Sequence, residues 1–208
     1  ISAIEGLDTG DHLVIPNAPA PKELVTSSPY DVKNKSIAEM QQDMINGKTT
    51  SVQITQAYLD RIKVYDEGQL GFHAFLHVSE TALNQAKAAD DARAQGVKGD
   101  LLGIPIAIKD IYDTKDMPTT GGSKALEGWQ PDSDAFQVKK LREAGAVIIG
   151  KVNTSEFANS GSFSESGWQQ TWNALYPSKT SFGSSGGSAV SVAADFAAAA
   201  MGSQTGVS

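Results

Sequence analysis

Apolar residues recur at helical spacing in three stretches of the first half of the chain. Ser36-Ile-Ala-Glu39 is a capping box, in which serine and glutamate side chains each take the other's backbone N–H. Ile37, Met40, Met44 and Ile45 continue that helix on one face, and Gly47 stops it. A second helix starts at Ser51, with Ile54, Ala57, Tyr58, Leu59 and Ile62 on one side. Arg61 and Lys63 fall in its last turn, where cations suit the helix C-terminus. A third, alanine-rich helix capped by Ser79 runs to about Gln95 and stops at Gly96.

The pattern changes after residue 100. Leu101-Leu-Gly-Ile-Pro-Ile-Ala-Ile108 is a short continuous apolar run, as in a strand covered on both faces. Pro105 has no N–H to give a ladder, so it suits the start of a strand or an edge. Residues 136–142 read as an amphipathic helix, Gly145 as its stop and residues 146–149 as the next buried strand. Strand, helix and strand at this spacing predict an α/β fold, a sheet with a helical cover. Residues 189–201, apolar and alanine-rich but interrupted by Ser191 and Asp195, predict a buried helix too short to span a membrane. The expected organisation is an extended lead-in over residues 1–35, a helical layer over 36–100 and a core over 101–208. The lead-in contains Pro-Asn-Ala-Pro-Ala-Pro at residues 16–21.

Composition narrows the chemistry. At 208 residues, 40% hydrophobic and 20% charged, the chain can bury a sizeable core. Its net charge of −7 argues against nucleic acid or an anionic membrane as the main partner, because both call for clustered Lys and Arg. With no cysteine there are no disulfides, thiolate nucleophiles or Cys-ligated metals. The histidines are His12, His73 and His77. His73 and His77 lack the glutamate of a zinc-protease helix and sit among Phe72, Ala74, Phe75 and Val78, so they read as structural. A Ser–His–Asp triad therefore has no evident base. The start at Ile1 fits removal of an upstream leader, with a lean toward a secreted or periplasmic location.

Residues 160–208 are rich in Gly and Ser, yet Trp168, Trp172, Tyr176 and Phe182 are interleaved, which favours structured loops over a flexible linker. Residues 157–172 are expected to form part of a pocket wall tolerant of apolar groups.

Three features carry chemistry. Lys109 directly follows the apolar run, where burial would lower its pKa toward neutrality and make it a usable base. The alternative is a strand-end lysine reaching solvent or pairing with Asp110 or Asp113. Gly183-Ser-Ser-Gly-Gly-Ser188 lets backbone approach a substrate closely, though a phosphate-cradling loop or a plain turn competes. Gly202-Ser-Gln-Thr-Gly-Val-Ser208 places a serine after a glycine-containing turn, the arrangement an oxyanion hole requires.

Together these residues resemble the amidase signature family. Gly103-Ile-Pro-Ile-Ala-Ile-Lys-Asp110 with Met117-Pro-Thr-Thr-Gly-Gly-Ser123 is similar to that family's lysine-bearing segment. Gly150-Lys-Val-Asn-Thr-Ser-Glu-Phe157, the Gly183 motif and the last seven residues resemble its next three stretches. The resemblance implies an amidase-signature-like mixed sheet covered by helices, with this chain supplying only the N-terminal part of the fold. It implies Lys109 as base, Ser184 as relay after a cis peptide bond, and Ser208 as nucleophile. Gly183, Ser185 and Gly186 would form the supporting loop, and the backbone amides of Thr205, Gly206 and Val207 the oxyanion hole. Neither metal nor other cofactor is called for. The implied substrate is a small-molecule or peptide amide, and the implied partner is a C-terminal half of the same protein.

Four positions depart from the family pattern. Gln204 stands where the family has Asp, Val207 and Phe182 where it has Gly, and Ile111 where Asn is frequent. Two alternatives to a free-standing amidase follow: a glutaminase-type subunit of an amidotransferase, and an amidase-fold protein without catalysis.

Overall fold

The computed structural model describes residues 23–206. The Pro-rich stretch at 16–21, His12, Val207 and Ser208 lie outside the described residues. Helix α1 (Ile37–Ile45) opens with both halves of the capping box: Ser36 Oγ accepts from Glu39 N at 3.2 Å, and Glu39 Oε2 accepts from Ser36 N at 2.8 Å. Helix α2 (Ser51–Arg61) runs on into one π turn (Ile62–Asp66). Its first amides, Ser51 N and Val52 N, donate to the Asp90 carboxylate at 2.7 and 3.0 Å. An acid at a helix N-terminus meets both unpaired N–H groups and the positive end of the helix dipole. Asp90 lies on α3 (Ala82–Ala94), so this contact locks α2 against α3.

A four-stranded sheet follows, built from β1 (Phe75–Val78), β2 (Pro105–Lys109), β3 (Val147–Val152) and β4 (Ala199–Met201), in the order β1-β3-β2-β4. β2 pairs in parallel with both β3 and β4, while β1 runs antiparallel to β3 along one edge. Every residue of β2 and β3 is buried, as the continuous apolar runs require. Pro105 is the first residue of an interior strand, where its missing N–H costs no ladder bond. Helices α4 (Phe136–Glu143) and α5 (Gly186–Ala193) complete the elements, and the core brings Met40, Ile54, Tyr58, Ile104, Ile108, Ile148 and Phe196 together. Among the described residues no helix is long and apolar enough to cross a membrane.

Three sequence expectations need correction. The third helix begins at Ala82 with Thr81 as its N-cap, not at Ser79. Ser79 N still donates to Ile149 O at 2.8 Å, so the sheet ladder holds this residue out of the helix. Residues 101–103 form a turn, with Gly103 at φ +78°, and the strand starts only at Pro105. The helix expected over 189–201 is instead the end of α5 followed by strand β4. Asp195 adopts φ +56°, and the Arg61 guanidinium donates to the carbonyls of Ala194 and Asp195, both at 2.8 Å. Those carbonyls are satisfied from outside the helix, and the chain turns back into the sheet.

Parallel strands end on the same side of a sheet. Lys109 at the end of β2, Asn153 just past β3 and Ser203 just past β4 therefore share one edge, where ligands of open α/β sheets bind.

Candidate active site

Strand alternation sends Lys109 and Asp110 to opposite faces of β2. Lys109 is 0% exposed, and its Nζ donates to Ser184 Oγ at 2.5 Å, Ser203 Oγ at 2.7 Å and Ser185 Oγ at 2.9 Å. An ammonium has three N–H donors, and three hydroxyls receive them. Among the described residues no carboxylate pairs with it. Burial lowers its pKa from 10.5 to about 8, because an ammonium loses hydration in the core. The alternative of a solvent-reaching or acid-paired lysine does not hold.

Asp110 is occupied on the other face. Its Oδ1 pairs with Lys151 Nζ at 3.0 Å, both side chains being fully buried, and its Oδ2 accepts from Thr120 N at 3.1 Å and from the Thr120 hydroxyl. Lys151 donates further to Thr119 Oγ1 at 2.8 Å and to Pro118 O at 3.0 Å. This pair fastens the ends of β2 and β3 to the 118–121 loop.

Ser184 follows a cis peptide bond from Gly183 and is fully buried. Gly183 N donates to Gly161 O at 3.0 Å, and a Cβ on Gly183 would lie 2.0 Å from Phe163 O. Only glycine fits there. Ser185 meets Ser203 twice: Ser203 N donates to Ser185 Oγ, and Ser185 Oγ lies in donating reach of Ser203 O, both at 3.2 Å. Tyr112 OH donates to Gly202 O at 2.8 Å and Ser188 Oγ to Met201 O at 2.8 Å, which tie the turn after β4 to β2 and α5.

A family model described as Amidase matches residues 53–208. The chain belongs to the amidase family. A curated glutamyl-tRNA(Gln) amidotransferase subunit from Thermobifida fusca is 50% identical over 173 residues, covering 82% of this chain and 34% of that protein. Among solved structures, the native peptide amidase of Stenotrophomonas maltophilia superposes with a TM-score of 0.76 at 41% identity, over 83% of this chain and 36% of the other. The corresponding glutamyl-tRNA(Gln) amidotransferase subunit from Thermotoga maritima does so with a TM-score of 0.66 at 33% identity, over 84% and 35%. The chain spans about a third of the length of these relatives. Its fold is the expected amidase-family α/β arrangement of a mixed sheet with helices.

Relative to the family pattern, the structure brings Lys109, Gly183, Ser184, Ser185 and Gly186 into one cluster. Thr205 and Gly206 are exposed in the turn beyond Ser203, where the Gln204 amide donates to the Gly206 carbonyl. Val207 and Ser208 lie outside the described residues. His77 sits in β1, and His73 Nε2 lies 2.5 Å from Gly68 O, both apart from the Lys109 cluster.

A cavity of about 490 Å³ opens beside the cluster, lined by Ser155, Glu156, Phe157, Phe163, Glu165 and Ser166 among others. Ser155 N donates to Ser184 O at 3.3 Å, so the cavity wall adjoins the Ser184 backbone. It overlaps the 157–172 stretch expected as a pocket wall, and its lining mixes the aromatic rings of Phe157 and Phe163 with serines and two glutamates. Phe157 and Ala158 hold positive φ values of 50° and 55° there.

Several contacts are not evident from the sequence. Ser203 lies within the Gly202 motif, yet neither spacing nor resemblance gives it a role; its signal is a hydroxyl placed two residues after an apolar strand. Tyr112 and Ser164 carry no local signal, because their partners are distant in sequence, and Asn153 lies in a resembling stretch that does not name its partners.

Proposed function

We propose that the protein is an amide hydrolase acting by a Lys–Ser–Ser relay. The observation that carries this reading is Lys109: a lysine buried with no acid beside it among the described residues, held on three serine hydroxyls, its pKa lowered by burial to about 8. A neutral amine keeps two N–H bonds and one lone pair. Ser185 and Ser203 accept the two N–H bonds, and the lone pair faces Ser184. Ser184 then gives its hydroxyl proton to Lys109 Nζ while taking the proton of Ser208 Oγ. Ser208 Oγ bonds to the amide carbonyl carbon, the carbonyl oxygen becomes an oxyanion, and the backbone amides of Thr205, Gly206 and Val207 stabilise it. Collapse breaks the C–N bond, the relay returns the proton to the departing amine, and water releases the acyl group.

The substrate reading has two branches. Likeness to the peptide amidase supports a peptide or small carboxamide. The 50% identity to an amidotransferase subunit supports glutamine as ammonia donor, with further subunits as partners. Ammonia release from glutamine and from a series of C-terminal peptide amides separates them. Release from neither, by the natural full-length protein, would overturn the hydrolase reading.

A further inference from the structure

The residue that fixes the relay serine from behind is Ser164. It is fully buried, and its one hydroxyl reaches three backbone groups spaced around Ser184. Ser164 Oγ donates toward Phe182 O at 2.7 Å and Ser184 O at 3.1 Å, and it accepts from Gly186 N at 2.7 Å. The site has no spare room, since a Cβ on Gly186 would lie 2.3 Å from that oxygen. A hydroxyl can donate and accept at once, which a methyl in this space cannot do.

Ser164 is itself anchored to the sheet. Its carbonyl accepts from Asn153 Nδ2 and from Thr171 N, both at 3.0 Å. Asn153 Nδ2 also reaches Thr171 Oγ1 at 2.9 Å and Gln169 O at 3.1 Å, and Thr171 Oγ1 donates to His73 O at 2.8 Å. Asn153 directly follows β3, and its backbone N donates to Ala74 O at 2.7 Å. A continuous hydrogen-bonded path thus runs from the end of β3 through Ser164 to the backbone on both sides of the relay serine.

We propose that Ser164 is a positioning residue for the hydrolytic relay: it sets where Ser184 Oγ stands relative to Lys109 Nζ. The proposal rests on the amidase reading above. Ser164 acts through Ser184, whose backbone it holds, and not on Lys109 directly. Losing it should misplace the relay hydroxyl by a fraction of an ångström, which catalysis feels more strongly than folding does.

The test compares Ser164→Ala with the parent in the natural full-length protein. Active sites are titrated with a fluorophosphonate, so that rates are counted per competent nucleophile and unfolded material drops out. The expected result is a kcat per titrated site lowered about tenfold to a hundredfold, with KM within about twofold. Ser164→Cys, which keeps a weak donor and acceptor in the same place, should recover part of the loss. An unchanged kcat per titrated site in Ser164→Ala, whatever its melting temperature, makes Ser164 purely structural and overturns the proposal. If Ser164→Ala yields no folded protein, Ser164→Cys decides alone: kcat per site equal to the parent's overturns the proposal, and a reduced one supports it. A parent protein that releases no ammonia from any amide overturns the hydrolase reading, and this inference with it.

Discussion

Lys109 Nζ and Ser203 Oγ stand 2.7 Å apart across 94 residues of chain, at the adjacent ends of two parallel strands. The pairing of β2 with β4 makes the contact, because Ile108 lies opposite Met201 and the next residues emerge together on one edge. In the proposed relay, a neutral Lys109 whose N–H bonds are held by Ser203 and Ser185 has its lone pair left for Ser184.

Ser203→Ala removes one of those acceptors. The expected outcome is a kcat lower by about tenfold with KM little changed, in line with one lost orienting hydrogen bond. The hydroxyl also stabilises the ammonium form, so the acid limb of the rate profile should move to lower pH. Steady-state kinetics between about pH 6 and pH 10 check both.

The pH dependence of the parent follows from Lys109 itself. In the proposed relay the amine acts in its neutral form, and burial lowers its pKa to about 8, so kcat/KM should rise with pH through about 8 and level above it. Stability moves in the same direction. The folded pKa lies below the unfolded 10.5, so the unfolded chain binds more protons between those values and stability rises with pH there, by about 1.4 kcal/mol per unit. Denaturation of the parent and of Lys109→Met at several pH values should show a steeper slope in the parent, because Lys151, whose pKa burial also lowers, contributes to both.

The buried Lys151–Asp110 pair makes a separate prediction. Lys151→Met leaves a buried carboxylate without its cation and should cost about 3–5 kcal/mol. The double variant Lys151→Met with Asp110→Asn removes the stranded charge and should recover much of that loss. Chemical denaturation of the two variants measures the difference.

Gly187 offers a packing test. A Cβ there would lie 2.4 Å from Asn153 N and 2.8 Å from Ala74 O, both backbone atoms that cannot step aside. Gly187→Ala should therefore destabilise by about 1–3 kcal/mol and disturb the strand end that anchors Ser164. Thermal melting checks the first part, and kcat per titrated site the second.

The sequence is most legible where local chemistry decides structure. The capping box at Ser36, the continuous apolar run into Lys109 and the apolar stretch after Gly145 each specify their element without help from distant residues. The ends are harder. Ser79 reads as a helix cap because serine caps helices, yet its N–H is taken by Ile149 O in the sheet. Residues 189–201 read as one helix because alanine favours helix, yet Arg61 from α2 satisfies the carbonyls at which the helix stops. In the site, Lys109 and Ser184 stand inside long motifs and can be found by resemblance. Asn153 stands inside the Gly150–Phe157 stretch, but its partners Ser164 and Thr171 do not show in that pattern; Ser164 reaches backbone groups 18 and more residues away, and no local pattern announces such a role.

The central claim is that Lys109 drives the relay through Ser184 to a nucleophile at Ser208. Fluorophosphonate labelling of the natural full-length protein, followed by peptide mass mapping, tests it directly when parent and Lys109→Ala are compared at about pH 8, near the Lys109 pKa. The account predicts a label on Ser208 in the parent and a labelling rate about a thousandfold lower in the folded Lys109→Ala variant. A label on a different residue, or labelling of Lys109→Ala at the parent rate, would contradict it.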